Sequence, residues 1–152
     1  MNEISIDTSA IIAFYQQRAP PAVRRHLQES STCIPMPAYA ELARYFMKRD
    51  LEVWRKIKDD LEPARVLPLD RETCELAAEV SRRRGSLSAM DSLIYACAAR
   101  NGMPLLTMDA DFRGRKGAIV VNNHGLKAAL GNSALRGPGK PPESFRSGVS
   151  AT

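Results

Sequence analysis

The chain has 152 residues, of which 44% are hydrophobic and 26% charged, a composition typical of a single globular domain. It contains no apolar run near the roughly 20 residues that a membrane-spanning helix needs, and its start lacks the basic residues and apolar core of a secretory signal, so we expect a cytoplasmic protein without a membrane partner. The net charge of +5 and the pI near 9.4 favour a polyanionic partner such as nucleic acid.

Short β-prone runs alternate with helical segments over residues 1–130. Strands are predicted at Glu3–Ile6, Thr32–Pro35, Arg65–Leu69, Pro104–Thr107 and Ala118–Val121. Helices are predicted at Ser9–Gln16, Ala22–Glu29, Pro37–Lys48, Leu51–Leu61, Arg71–Arg84, Ala89–Asn101 and Asn123–Leu130. This alternation predicts an α/β domain with a mainly parallel sheet of about five strands flanked by helices, and a ligand site at the carboxyl ends of those strands. Residues 131–152 are rich in Pro, Gly and Ser, which predicts a flexible tail.

The three cysteines, Cys33, Cys74 and Cys97, form no C-x-x-C pair. Each lies in an apolar stretch, where a reduced and buried thiol is the usual explanation. We therefore expect neither a disulfide nor a zinc site.

Five acidic residues fall at strand ends or helix starts: Asp7, Glu41, Asp91, Asp109 and Asp111. Each has an ordinary explanation when taken alone. Asp7 suits a helix N-cap, Glu41 a solvated early helical turn, and Asp91 a capping box. Asp109 and Asp111 suit an Asx-turn after a strand.

Taken together, most of these acids belong to the edge where an α/β sheet gathers the ends of its strands. Two unit charges about 4 Å apart repel by roughly 4 kcal/mol at an effective dielectric of 20, so such a cluster requires cations or protonation. Mg²⁺ or Mn²⁺ is the simplest solution because these ions prefer carboxylate oxygen, and the only histidines, His26 and His124, lie outside the acidic segments.

The ordered acidic motifs resemble those of the PIN-domain ribonucleases, particularly the VapC-like toxins of prokaryotic toxin–antitoxin pairs. The resemblance spans about residues 3–127 and rests on Ile6-Asp7-Thr8-Ser9-Ala10, Ala40-Glu41-Leu42, Met90-Asp91-Ser92-Leu93-Ile94-Tyr95-Ala96 and Leu105-Leu106-Thr107-Met108-Asp109-Ala110-Asp111-Phe112. It implies a PIN-like three-layer fold, a metal-dependent endoribonuclease activity, a homodimer, and inhibition by a small antitoxin. The Pro/Gly-rich tail departs from the usual ending of the family.

The resemblance also assigns roles to individual residues. The catalytic quartet corresponds to Asp7, Glu41, Asp91 and Asp109. The metal ligands correspond to Asp7, Asp91 and Asp109, with Asp111 as a further acid, and Ser9 and Thr107 match hydroxyl residues that support the carboxylates. A metal-activated water would then hydrolyse the RNA phosphodiester, with Glu41 orienting that water or completing a second metal site.

Basic residues near the acidic motifs are candidates for RNA contact. Arg113, Arg115 and Lys116 follow Asp111, and Arg82 and Arg83 belong to the run Arg82–Arg84. The alternative is a solvated loop and helix end, where cations are favourable in any case. The aromatic segment Tyr39–Trp54 has core packing as its simplest meaning, and the alternative is a groove for an antitoxin helix or a dimer contact, with Arg44 or Arg49 pairing with antitoxin acids.

A competing function is a non-catalytic PIN-like module that binds RNA or protein and carries a metal in its acidic pocket. A receiver domain fits poorly, because it pairs acids after its first strand. A haloacid-dehalogenase phosphatase fits poorly as well, because Asp7-Thr8-Ser9 lacks the second acid of a D-x-D motif.

Overall fold

The computed structural model describes residues 2–83 and 87–121. The elements in chain order are β1 (Asn2–Ile6), α1 (Thr8–Tyr15), α2 (Pro21–Glu29), β2 (Ser30–Pro35), α3 (Met36–Met47), α4 (Leu51–Leu61), β3 (Arg65–Leu67), α5 (Arg71–Arg82), α6 (Ala89–Arg100), β4 (Leu105–Thr107), a 3₁₀ turn (Ala110–Phe112) and β5 (Ala118–Val120). The predicted helix Asn123–Leu130, the predicted tail 131–152 and Arg84 lie outside the described residues.

The strands form one parallel sheet in the order β3-β2-β1-β4-β5. β1 is central, pairing Ile4 with Thr32 of β2 on one side and Ile6 with Leu106 of β4 on the other. Successive strands move away from β1 in one direction as far as β3, and the chain then crosses back to β4. The carboxyl ends of β1 and β4 therefore flank the point where the strand order reverses, which is where open α/β sheets bind ligands. This confirms the predicted α/β fold.

The central strands are apolar because helices cover the sheet and exclude water from it. Ile6, Leu105 and Leu106 are at most 1% exposed. Leu42, Phe46 and Trp54 are also buried, with Tyr39 and Tyr45 packed against the same core, so core packing accounts for most of the aromatic segment. The buried side chains that join strands and helices include Ala10, Ile11, Phe14, Ile57, Leu61, Ile94 and Ala98.

The predicted element boundaries either match the observed ones, as for Leu51–Leu61, or differ from them by one or two residues. β3 ends at Leu67 rather than Leu69, since Pro68 has no N–H with which to continue the ladder. The helices α4 and α5 begin where Asp50 and Asp70 accept hydrogen bonds from backbone N–H groups of the first turn. No helix in the described ranges is long and apolar enough to cross a membrane.

One prediction about the cysteines is wrong. Cys33 and Cys97 are buried free thiols, but Cys74 is exposed. The helical phase of α5 explains the error, because this helix turns Thr73 and Ala77 inward and leaves the intervening Cys74 on the solvent side. A residue in an apolar stretch is thus not necessarily buried when that stretch is helical.

Candidate metal centre at the carboxyl edge of the sheet

Asp7 is the first residue after β1 and also the N-cap of α1. Its Oδ1 accepts a hydrogen bond from the Thr8 backbone N–H at 2.7 Å, and its side chain is almost completely buried. Its Oδ2 accepts from the hydroxyls of Ser9 at 2.9 Å and Thr107 at 2.7 Å. The capping interpretation of Asp7 is therefore correct, and it leaves the carboxylate at the strand edge where the metal hypothesis needs it.

Ser9 and Thr107 connect the start of α1 to the loop after β4. The Thr107 hydroxyl donates to Asp7 and accepts from the Asp109 backbone N–H at 3.0 Å, while the Ser9 hydroxyl accepts from the Met108 N–H at 3.0 Å. Thr107 is fully buried. These contacts fix the carboxylate of Asp7 relative to the loop that carries Asp109.

Asp91, Asp109 and Asp111 form a trio of carboxylates. One oxygen atom from each lies within 4.8 Å of the others. Asp91 lies in the first turn of α6, where its backbone N–H donates to Ser88 Oγ at 3.1 Å. Asp109 accepts from the Asp111 N–H at 2.9 Å, which is the expected Asx-turn contact. The local turn and cap interactions thus position the three acids.

Electrostatics connect Asp7 to this trio. Burial raises the pKa of Asp7 to about 6, and the charge of Asp91 makes a smaller contribution in the same direction. The hydrogen bonds that Asp7 accepts lower its pKa but do not offset the effect of burial. Burial also raises the pKa of Asp91, and the charges of Asp109 and Asp111 add to the effect. The folded chain therefore concentrates negative charge that an added cation would relieve.

Glu41 is connected to Asp7 through Thr8. It is half-buried on α3, and its Oε1 accepts from the Thr8 hydroxyl at 2.8 Å. Neither Asp7 nor Glu41 belongs to the group whose carboxylate oxygens lie within 4.8 Å of one another. The structure thus groups three of the five predicted acids, links Asp7 to them through the charge of Asp91, and links Glu41 to Asp7 through Thr8.

The donor set fits a hard divalent cation. Oxygens on opposite sides of Mg²⁺ lie roughly 4.2 Å apart, twice the usual metal–oxygen distance, which is close to the span of the trio. The trio contains only carboxylate oxygens, a chemistry that favours Mg²⁺ or Mn²⁺ over zinc or copper. The residues present are therefore suited to the metal that the sequence predicts.

The basic residues fall into two groups. Arg82 and Arg83 both pair with Glu79, with nitrogen–oxygen distances of 2.8 and 3.7 Å, which favours the helix-end interpretation for this pair. Arg113 and Lys116 are exposed beyond the 3₁₀ turn, whereas Arg115 is half-buried. The residues after Asp111 remain the better candidates of the two groups.

A cavity of about 440 Å³, here called the α1/α3 cavity, lies between α1 and α3 and includes Arg44 and Arg49, which the sequence offered only as part of an alternative groove. Its lining consists of Thr8, Ile12, Glu41, Arg44, Tyr45, Lys48 and Arg49. The signal is present in the sequence, since Glu41, Arg44, Tyr45 and Lys48 have the spacing of one helix face. The missing information was that this face borders α1 at Thr8.

Comparisons with known proteins agree with this architecture. The family model of the PIN domain matches residues 4–117. A toxin–antitoxin complex from Klebsiella pneumoniae contains a chain that is 17% identical with a TM-score of 0.67, covering 77% of this chain and 96% of that one. VapBC2 from Rickettsia felis, bound to a DNA fragment from its promoter, gives 17% identity and a TM-score of 0.64, with coverage of 79% and 98%.

FitAcB from Neisseria gonorrhoeae gives 20% identity and a TM-score of 0.63, covering 81% of this chain and 99% of that chain. A comparison with curated protein sequences gave no match. At these identities the solved structures show a shared fold.

Proposed function

Because this chain belongs to the PIN-domain family, we propose that it is a Mg²⁺-dependent endoribonuclease and the toxin of a toxin–antitoxin pair. The observation that carries the proposal is the convergence of acids from three separate segments, after β1, at the start of α6 and after β4. Caps and turns account for each acid locally, but they do not account for a shared site at the reversal of strand order.

In this proposal Asp91, Asp109 and Asp111 hold the divalent cation, and Asp7 adds its charge from the neighbouring strand end. When bound, Mg²⁺ or Mn²⁺ would lower the pKa of an attacking water and neutralise charge on the scissile phosphate. The hydroxyls of Ser9 and Thr107 hold the Asp7 carboxylate, and hydroxyl partners of this kind tune metal affinity elsewhere.

Glu41 has a different role in this proposal. Its Oε1 is engaged by the Thr8 hydroxyl, which orients the carboxylate beside Asp7. There it accepts a hydrogen bond from the attacking water or completes a second metal site. Hydrolysis of the phosphodiester leaves a 5′-phosphate and a 3′-hydroxyl. Arg113, Arg115 and Lys116 supply contacts to the RNA backbone that depend on salt but not on sequence.

The partners belong to the same proposal. A toxin–antitoxin complex is among the structures with this fold, which supports an antitoxin encoded beside this chain. The homodimer is implied by the resemblance to VapC-like toxins and is part of the same proposal. Induced expression in a bacterial host should arrest growth, and co-expression of the neighbouring reading frame should restore it. Growth that is unaffected by a well-expressed chain would contradict the toxin assignment.

Cleavage of defined RNAs by the purified chain tests the nuclease assignment. We expect cleavage with Mg²⁺ or Mn²⁺, none with EDTA, and none by the Asp91→Asn variant. Asp59→Asn is the matched control, because it makes the same chemical change at an exposed position of α4. RNA binding without cleavage at any metal concentration would instead favour the non-catalytic module.

A further inference from the structure

The α1/α3 cavity adjoins the acidic residues through Thr8 and Glu41. The Thr8 backbone N–H donates to Asp7 and the Thr8 hydroxyl donates to Glu41, while Thr8 also lines the cavity. Arg44, Lys48 and Arg49 lie along the same lining. A cationic hollow therefore opens directly beside a cluster of carboxylates, and its volume lies within the range of small-ligand sites.

Part of the cavity wall is held in place by contacts within the chain. The Arg49 guanidinium lies 3.5 Å from the centroid of the Tyr45 ring, and its Nη1 donates to the Tyr45 carbonyl at 3.0 Å. The Tyr45 hydroxyl accepts from Gln16 Nε2 at 2.7 Å, and Arg18 donates to the same amide group of Gln16. Because Tyr45 and Arg49 are already held in place, this part of the wall would lose little side-chain entropy when a ligand binds.

We propose that the α1/α3 cavity binds a backbone phosphate of the RNA strand, next to the phosphodiester that is cleaved. This inference rests on the proposed nuclease function and assigns Arg44 and Lys48 to substrate binding. An RNA strand with one phosphate at the acidic centre needs cations for the neighbouring phosphates, because the carboxylates would otherwise repel it. The cavity places such cations beside Glu41.

An acidic protein segment is the other occupant that this charge would attract. It fits the location less well, because Glu41 and Asp7 would repel the carboxylates of the segment. An acidic peptide also has no group that needs to bind at the acidic centre. An RNA strand would use both sites, because one phosphate would bind at the metal of the acidic centre and a neighbouring phosphate would bind the cations of the α1/α3 cavity. The position of the cavity therefore favours RNA over a peptide.

Salt-dependent RNA binding by paired variants tests the inference. The cavity variant carries Arg44→Gln and Lys48→Gln, and the control carries Arg25→Gln and Lys56→Gln at exposed positions of α2 and α4. Both variants have the same net charge. The probe is a labelled oligouridylate of about 12 nucleotides, within the range of single-strand site sizes, titrated in EDTA by fluorescence anisotropy.

For the cavity variant we expect affinity at low salt to fall on the order of tenfold. The slope of log affinity against log salt should become shallower by about 0.7, the value for one lost phosphate contact on a single strand. The control should lose far less affinity and keep its slope. In cleavage assays the cavity variant should show a raised KM with a nearly unchanged kcat. This pattern is expected when a lost contact had stabilised the bound substrate and the transition state equally.

The outcomes separate this inference from the proposed function. If the wild-type chain cleaves RNA and the cavity variant matches the control in binding and in KM, the nuclease proposal stands and the subsite is wrong. If the wild-type chain binds RNA through Arg44 and Lys48 without cleaving it, the subsite stands and the nuclease proposal is wrong. A variant that loses affinity for polyglutamate but keeps affinity for oligouridylate would overturn the inference in favour of an acidic protein segment.

Discussion

The substitution Asp7→Asn should change the pH dependence of folding stability in the metal-free protein. Burial raises the pKa of Asp7 from 3.8 to about 6, so the folded chain binds this proton more tightly than the unfolded chain does. The stabilising effect of the protonated carboxyl is present in full below about pH 4 and is lost as the pH rises through about 6. Asparagine has no proton to lose over this range.

The magnitude follows from the two pKa values. A difference between 3.8 and about 6 corresponds to about 3 kcal/mol at 1.36 kcal/mol for each pKa unit. Relative to the wild-type chain, the Asp7→Asn variant should therefore gain about 3 kcal/mol in the free energy of unfolding between about pH 4 and pH 7. Below about pH 4 the difference between the two proteins should be constant.

Urea denaturation in EDTA measures this difference directly. The chain has a single tryptophan, and Trp54 is buried, so its fluorescence reports global unfolding. Asp59→Asn, at an exposed position of α4, is the matched control for the same chemical change. Saturating Mg²⁺ at neutral pH should stabilise the wild-type chain more than the Asp7→Asn variant, because binding to the folded state adds stability. A pH-independent difference for Asp7→Asn would refute the reasoning.

Three further substitutions test the supporting structure. Thr107→Val removes a buried hydroxyl that donates to Asp7 and accepts from the Asp109 N–H. We expect the free energy of unfolding in urea to fall by about 1–3 kcal/mol and the Mg²⁺ affinity measured by calorimetry to weaken roughly 10–100-fold. Thr107→Ser should preserve both quantities, and equal losses in the two variants would contradict this role. Ser88→Ala removes the N-cap of α6 and should cost about 1 kcal/mol with an unchanged m-value, whereas an unaltered denaturation midpoint would show that the cap is dispensable. Trp54→Ala should cost about 3–5 kcal/mol when unfolding is followed by circular dichroism, and a loss below about 1 kcal/mol would contradict its place in the core.

Local signals in the sequence were sufficient for most of the fold. Strand ends, caps and turn residues are encoded within a few positions of one another, which is why the elements and the positions of Asp7 and Asp91 at their ends could be predicted. The rule for parallel sheets then predicted a shared edge without knowledge of strand order. The order itself could not be predicted, because it depends on the crossover that carries the chain from β3 past β1 to β4.

Two features of the structure could not be predicted from the sequence, because one depends on a contact between distant elements and the other on the rotation of a helix. The hydrogen bond between Thr8 and Glu41 joins two helices, and the sequence gives no measure of how closely they approach. The exposure of Cys74 depends on the rotation of α5 about its axis. The pairing of Arg82 with Glu79 has the spacing of helical neighbours and is a signal that the sequence did contain.

The central claim is that Asp91, Asp109 and Asp111 together hold a divalent cation at the strand edge. Crystals of the chain grown with Mn²⁺, measured at a wavelength where manganese scatters anomalously, test it most directly. We expect an anomalous peak in direct contact with carboxylate oxygens of this trio, and no such peak in crystals of the Asp91→Asn variant. A fully liganded manganese elsewhere, with ordered but empty carboxylates at the trio, would contradict the account.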